Sequence, residues 1–97
     1  MEFAVIAHDF TDEKALERRM AAREEHLKNA GKMFEDGILI FASALLNDEE
    51  KMNGSVMVVD FPSKKELKEK WLNKEAYVTG KVWEKITVQR AKVAMHK

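Results

Sequence analysis

The chain contains no cysteine, which removes disulfides, thiolate metal sites and a thiol nucleophile from its possible chemistry. It also lacks net charge. Its 17 Lys and Arg balance 17 Asp and Glu, so no basic field gathers nucleic acid and no acidic excess gathers cations. No apolar run approaches the roughly 20 residues that span a membrane. The opening segment, Met1 to His8, has no basic start and ends polar, so it reads as a strand of a mature protein rather than an export signal. Gly-rich phosphate loops, nucleophile elbows and zinc helix motifs are missing too. The expectation is a cytoplasmic protein with no metal, no ATP or NAD cofactor, and neither a nucleic-acid nor a membrane partner.

Ninety-seven residues make one domain, near the lower limit at which a single core sustains itself without metal or disulfide. Phe3 to His8 is apolar at nearly every position, the pattern of a strand covered on both faces. A helix is expected from Thr11 or Asp12, either of which can cap it, to about Gly31, with Asp12 and Glu13 in its first turn. Ile38 to Leu46 reads as the second strand, and the polar stretch after it as a hairpin loop with the turn signal Asn53-Gly54. Ser55 to Phe61 reads as the third strand, again apolar on both faces. Pro62-Ser63-Lys64-Lys65-Glu66 starts a second helix, with Ser63 as cap, Glu66 completing a capping box, and Leu67 and Trp71 inward. A break at Asn73 leads to a short helical turn or loop from Lys74 to Gly80, and Val82 to Val93 is the last strand, with Ile86 and Val88 on one face. His96-Lys97 reads as a frayed end.

The order β-α-β-β-α-β is the ferredoxin-like, split βαβ arrangement of the α+β class. Right-handed crossovers place both helices on one face of a four-stranded antiparallel sheet, with the first and third strands central. Two helices cover one face only, whereas the first three strands are apolar on both. The economical cover for the second face is another copy, sheet against sheet, in a dimeric α+β barrel. The expected partners are therefore a second copy of the chain, in a homodimer that can pair further, and a small-molecule ligand.

In the first helix Leu16, Met20, Leu27 and Ala30 recur at spacings of three and four, and Arg23 completes the series. Arg23 is expected to point inward, where an unpaired guanidinium costs of order 3 kcal/mol or more and calls for a carboxylate or an anionic ligand. His26 lies three residues on, about 60° around the helix, and approaches the same cavity between helix and sheet. There it suits a general acid or base, because imidazole changes charge near neutral pH. Such a histidine wants a carboxylate on its other ring nitrogen. Asp9, closing the first strand, and Glu75, after the second helix, both qualify, and the sequence does not choose between them. Plainer readings stand beside these: His26 as a structural histidine, Asp9 as a helix cap, Glu75 as an exposed loop carboxylate. The charges at Glu17, Arg18, Glu24, Glu25 and Lys28 read as solvated surface. His8 and His26 make no metal site without a third ligand, and the six methionines and two tryptophans read as core filling.

With these residues in place, the chain resembles the YciI-like family of small bacterial dimeric α+β barrel proteins, nearly end to end. The resemblance rests on the first strand ending Ala7-His8-Asp9, on Arg19 and then Arg23-Glu24-Glu25-His26-Leu27, and on Asp36-Gly37-Ile38-Leu39. Trp71, Glu75-Ala76-Tyr77-Val78, Gly80 and Val82 continue it. It implies an active site built round the histidine and an acidic residue, which maps to His26 with Asp9 preserved. The family's Asp-Pro-Tyr stands here as Glu75-Ala76-Tyr77, and the Gly-Pro ending its second strand as Ser43-Ala44. Both departures touch the implied cavity.

The resemblance further implies a cofactor-free lyase or isomerase, of the dehydrochlorinase or muconolactone-isomerase kind, moving a proton beside a carbonyl or enol of a small anionic cyclic or aromatic metabolite. In that reading His26 moves the proton, Asp9 or Glu75 orients it, Arg23 holds the anion, and Ser43 and Tyr77 line the pocket. Two alternatives remain: a non-catalytic binding or accessory dimer that has lost the chemistry, and an oxygen-using monooxygenase on the same barrel.

Overall fold

The computed structural model describes residues 1–95. Residues 96–97, and with them the expected frayed end, lie outside the described residues. The elements run β1 (Glu2–Asp9), α1 (Ala15–Glu35), β2 (Leu39–Leu46), β3 (Met52–Asp60), α2 (Lys64–Lys70), a 3-10 turn (Leu72–Lys74), α3 (Ala76–Thr79) and β4 (Trp83–Ala91). The sheet is antiparallel in the order β2-β3-β1-β4. This is the ferredoxin-like β-α-β-β-α-β fold expected from the sequence, with β1 and β3 central. No helix among the described residues is long and apolar enough to cross a membrane.

Alternation along the strands divides the sheet into two unlike faces. Phe3, Val5 and Ala7 of β1 and Met57 and Val59 of β3 are buried beneath the helices. Leu67, Trp71, Leu72, Tyr77, Val82 and Trp83 complete that core from the second half of the chain. The opposite face presents Ala4, Ile6, Val56 and Val58, partly exposed, and Phe41 on the edge strand, half exposed. Burying one such aliphatic side chain is worth about 1.5–3 kcal/mol, so this face carries a substantial unused driving force.

Several local boundaries depart from the sequence reading, each for an identifiable reason. α1 continues through Gly31 and ends at Gly37, whose φ of 77° supplies the left-handed residue a helix stop requires. Gly37 N–H donates to the Phe34 carbonyl and Ile38 N–H to the Met33 carbonyl, the paired bonds of a Schellman ending. At the other end the helix starts at Ala15 without a side-chain cap. Asp12 instead accepts the Lys14 N–H and clasps Arg18. Asn53-Gly54 is not a turn. It lies inside β3, where a Cβ on Gly54 would stand 2.6 Å from the Ala7 carbonyl oxygen of β1, so the glycine answers a close approach between strands. Ser63 caps α2 by accepting the Glu66 N–H at 3.1 Å, whereas the Glu66 carboxylate turns to Lys70 instead of closing the box.

Candidate active site

The face that α1 lays on the sheet is not the leucine–methionine stripe. Leu16 is 38%, Met20 52% and Leu27 48% exposed. The buried series is Ala15, Arg19, His26 and Ala30, with Ala22 and Met33 partly buried along it. Alanine at these positions lets the helix approach the sheet closely, and the two long polar side chains in the series each meet a carboxylate from elsewhere in the chain. Arg23 is therefore not the inward guanidinium. Arg19 is, at 2% exposure, while Arg23 is half-buried at the edge of the same hollow.

Arg19 Nη1 donates to both carboxylate oxygens of Asp9, at 2.9 and 3.0 Å. Its Nη2 donates to the Gly54 carbonyl and to Ser55 Oγ, each at 3.0 Å. Trp83 Nε1 donates to the same serine hydroxyl at 3.2 Å. Asp9 is thus neither a helix cap nor the partner of His26. Burial pushes the Asp9 carboxyl above its ordinary value, against the opposing pull of the Arg19 guanidinium.

Glu75 is the residue that reaches the histidine. Its Oε1 meets His26 Nδ1, and at 3% exposure it is no loop carboxylate in solvent. The break after α2 explains its position: the 3-10 turn and the extended backbone at Glu75 (φ −61°, ψ 132°) fold the chain back on α1 before α3 begins. Two residues on, the Tyr77 ring stacks on the imidazole, with centroids 3.9 Å apart and planes 14° apart. The Arg19 guanidinium carbon sits 4.6 Å from the centroid of the same ring. Residues seven apart on a helix stand two turns, about 10.5 Å, from one another, and Tyr77 fills that interval between Arg19 and His26. Burial pushes its hydroxyl up, against the pull of Arg19 and Arg23, and so keeps it a neutral phenol.

Beside this stack lies a cavity of about 160 Å³ between α1 and the β2–β3 hairpin. It exists because Ala42 and Ala44 of β2 are small where they face the helix, leaving Leu27 and Met52 at its wall without a partner to fill the space. Arg19, Arg23 and His26 border it, and no carboxylate does. With Nδ1 held by Glu75, Nε2 is the imidazole nitrogen left for a ligand. Arg23 has no ion pair among the described residues, and Arg19 Nε is buried without a hydrogen bond. Ser43 borders the cavity too, but its register partner is Val56, on the uncovered face, and its hydroxyl donates to the Ala44 carbonyl. The inward hydroxyl is that of Ser55.

A family model described as the YCII-related domain matches residues 1–92. The chain belongs to the YCII-related family. None of the curated proteins matches it in sequence. Among solved structures it is similar to 5-chloro-2-hydroxyhydroquinone dehydrochlorinase from Burkholderia phenoliruptrix, in complex with 2,5-dihydroxybenzoquinone. The TM-score is 0.79 at 18% identity, covering 95% of this chain and 94% of that one. It is also similar to a dimeric ferredoxin-like protein from an uncultured marine organism, with a TM-score of 0.53 at 20% identity, covering 100% and 98%. At such identities these neighbours speak for the fold of this YCII-related chain.

Sequence reading placed none of Arg19, Ser55 and Trp83 in the site: Arg19 entered only through the family resemblance and Trp83 only as core filling. One signal for Arg19 was present: it shares a face with Ala15, Ala22, His26 and Ala30, a row of small residues that marks close helix–sheet contact as well as leucines do. Among the described residues there is no group of three or more His, Cys, Asp or Glu able to hold a metal ion.

Proposed function

We propose that this protein is a cofactor-free lyase or isomerase that moves a proton on a small anionic cyclic or aromatic metabolite, with His26 as the group that moves it. The observation carrying this reading is the Glu75 carboxylate on His26 Nδ1 at the wall of a cavity bordered by two guanidiniums and no acid. Neutral His26 takes a proton from a carbon or hydroxyl next to a carbonyl, and the electron pair left behind moves into the ring as an enolate. Glu75 stabilises the imidazolium so formed. The imidazolium then returns the proton at another atom, giving an isomer, or a leaving group departs with its electron pair and the imidazolium passes its proton to water, giving elimination. Arg23, which has no ion pair of its own, holds the anion. Ser43 and Tyr77 line the pocket, and Asp9 acts at a distance by fixing Arg19 beneath Tyr77.

The size of the hollow supports a single ring, since a cavity of about 150 Å³ accepts benzene. The uncovered apolar face supports a homodimer, sheet against sheet, in which Phe41, Ile6, Val56 and Val58 leave water; a structural neighbour is itself described as dimeric. The absence of any basic field or membrane-crossing helix among the described residues fits a cytoplasmic protein working on a soluble metabolite.

The test uses the dehydrochlorinase's own compounds: chloride release from 5-chloro-2-hydroxyhydroquinone and binding of 2,5-dihydroxybenzoquinone by calorimetry. Turnover is expected to fall about 10²–10⁴-fold in His26→Ala, and quinone binding to weaken at least tenfold in Arg23→Ala. Quinone binding with no turnover in the wild-type protein would favour the accessory reading. Turnover unchanged in His26→Ala would overturn the role given to the imidazole.

A further inference from the structure

The His26–Glu75 pair is a partition between two hollows. Glu75 also borders a second cavity, of about 340 Å³, which meets α1 at Asn29, Lys32 and Met33 where the first meets it at Arg19 to Leu27. α1 takes its helix–helix contacts from α3 rather than α2. The gap between the last turns of α1 and the α2–3-10 segment is consequently unfilled. Its floor is apolar: Phe61 and Trp71 lie nearly parallel, with planes 14° apart and centroids 6.2 Å apart, and both are buried. Met33 and Ile38 close the sides. Ligand pockets begin at about 300 Å³, so this open cleft falls within their range.

The rim has the opposite character. Lys32 on α1 and Lys74 on the 3-10 turn both border the cavity, are exposed, and make no ion pair among the described residues. Lys70 is held by Glu66 at 3.2 Å. Of the two acids at the border, Glu75 is committed to His26, which leaves Asp36 alone against the free lysines. An aromatic floor under a basic rim selects a flat apolar body carrying a negative group. The space is too short for a helix or a strand and suits a small molecule.

We propose that this cavity is a second ligand site, taking a small aromatic anion such as an aryl carboxylate, and that its occupancy reaches His26 through Glu75. Glu75 begins α3, and its carbonyl accepts the N–H groups of Val78 and Thr79, so its backbone also sets the position of Tyr77 against the imidazole. A ligand wedged between α1 and the 3-10 turn bears directly on that hinge. The proposal does not depend on what His26 does in the first cavity.

Titration with 1-naphthoate, followed by calorimetry and by NMR of the indole and imidazole rings, tests it. Binding is expected with intermolecular contacts to Trp71 and Phe61 and with a displaced His26 ring signal. The double variant Lys32→Glu/Lys74→Glu, changed only at exposed positions, is expected to bind at least tenfold more weakly while keeping its affinity for 2,5-dihydroxybenzoquinone within twofold. Uncharged 1-naphthalenemethanol is expected to bind at least tenfold more weakly than the acid. Arg23→Ala, which leaves the His26–Glu75 pair in place, is expected to keep its affinity for 1-naphthoate whether or not it has lost quinone binding, so the two readings fail separately. No binding at millimolar 1-naphthoate, equal binding by the charge-reversed variant, or contacts to Ala42 and Ala44 in place of Trp71 would each overturn the second site. An unmoved His26 signal at saturation would overturn the coupling.

Discussion

Two carboxylate–nitrogen pairs lie under α1, seven residues apart along the helix and separated by the Tyr77 ring: Asp9 with the Arg19 guanidinium, and Glu75 with the His26 imidazole. Both are buried and both join distant parts of the chain. They differ in what the nitrogen partner can exchange. Arg19 keeps its charge at every accessible pH and spends its remaining Nη2 hydrogen bonds on Gly54 and Ser55, so the first pair ties the helix to the sheet. His26 can release a proton, and its second ring nitrogen is not used by the fold, so the second pair can do chemistry that the first cannot. One helix face thus carries an anchor and a group able to exchange a proton.

The strongest blow to this comparison is Arg19→Met, which removes the anchor and leaves Asp9 buried without a cation. A loss of about 3–5 kcal/mol at pH 7 is expected in urea unfolding. The sign with pH follows from Asp9. Its folded pKa already lies above the ordinary 3.8 and rises further without Arg19, so the folded state binds the proton more tightly than the unfolded one. That contribution is complete below about pH 3.8 and is lost as pH rises through the raised value. The variant should therefore lose less stability at pH 4 than at pH 7, and a loss that grows on acidification would contradict the assignment.

Glu75→Gln probes the other pair. The amide can hold the ring but cannot stabilise the imidazolium, so turnover is expected to fall about 10²-fold, with binding of 2,5-dihydroxybenzoquinone nearly unchanged. A matching loss of binding would make Glu75 a structural tie like Asp9, and the distinction between the pairs would dissolve.

A third, surface pair gives the smallest effect and serves as a control. Arg18 grips Asp12 through two bonds of 2.9 and 2.8 Å and donates its Nε to the Lys81 carbonyl. The Arg18 hydrogen bond brings the Asp12 carboxyl down to about 2. Its contribution is present above pH 3.8 and is lost as pH falls through about 2. Carboxyl NMR should show that low midpoint and its return toward 3.8 in Arg18→Gln, with no change in turnover.

How much of this could be read from the sequence follows the range of the interactions involved. The fold was legible because unbroken apolar runs such as Phe3–Ile6 and Val56–Val59 announce central strands by local pattern alone. His26 was a candidate through its place beside Arg23 and through the family resemblance, and the first of these grounds named the wrong guanidinium. The buried face of α1 was not legible, because the leucine–methionine stripe and the alanine stripe are adjacent rows on one helix, and the choice between them is made by Asp9 and by the closeness of the sheet. The partner of His26 was open because Glu75 lies 49 residues away, and only the fold-back after α2 brings it in. Asn53-Gly54 misled as a turn signal because a glycine needed for strand contact looks identical to one needed for a bend.

The seven-residue interval between Arg19 and His26 makes α1 a ruler as well as a wall. Adding or removing one residue between them would swing the imidazole by about 100° about the helix axis, away from Glu75 and out of the hollow. Chain length in that stretch is thereby frozen. The hairpin opposite is under no such constraint, and there Ala42 and Ala44 set the volume of the hollow.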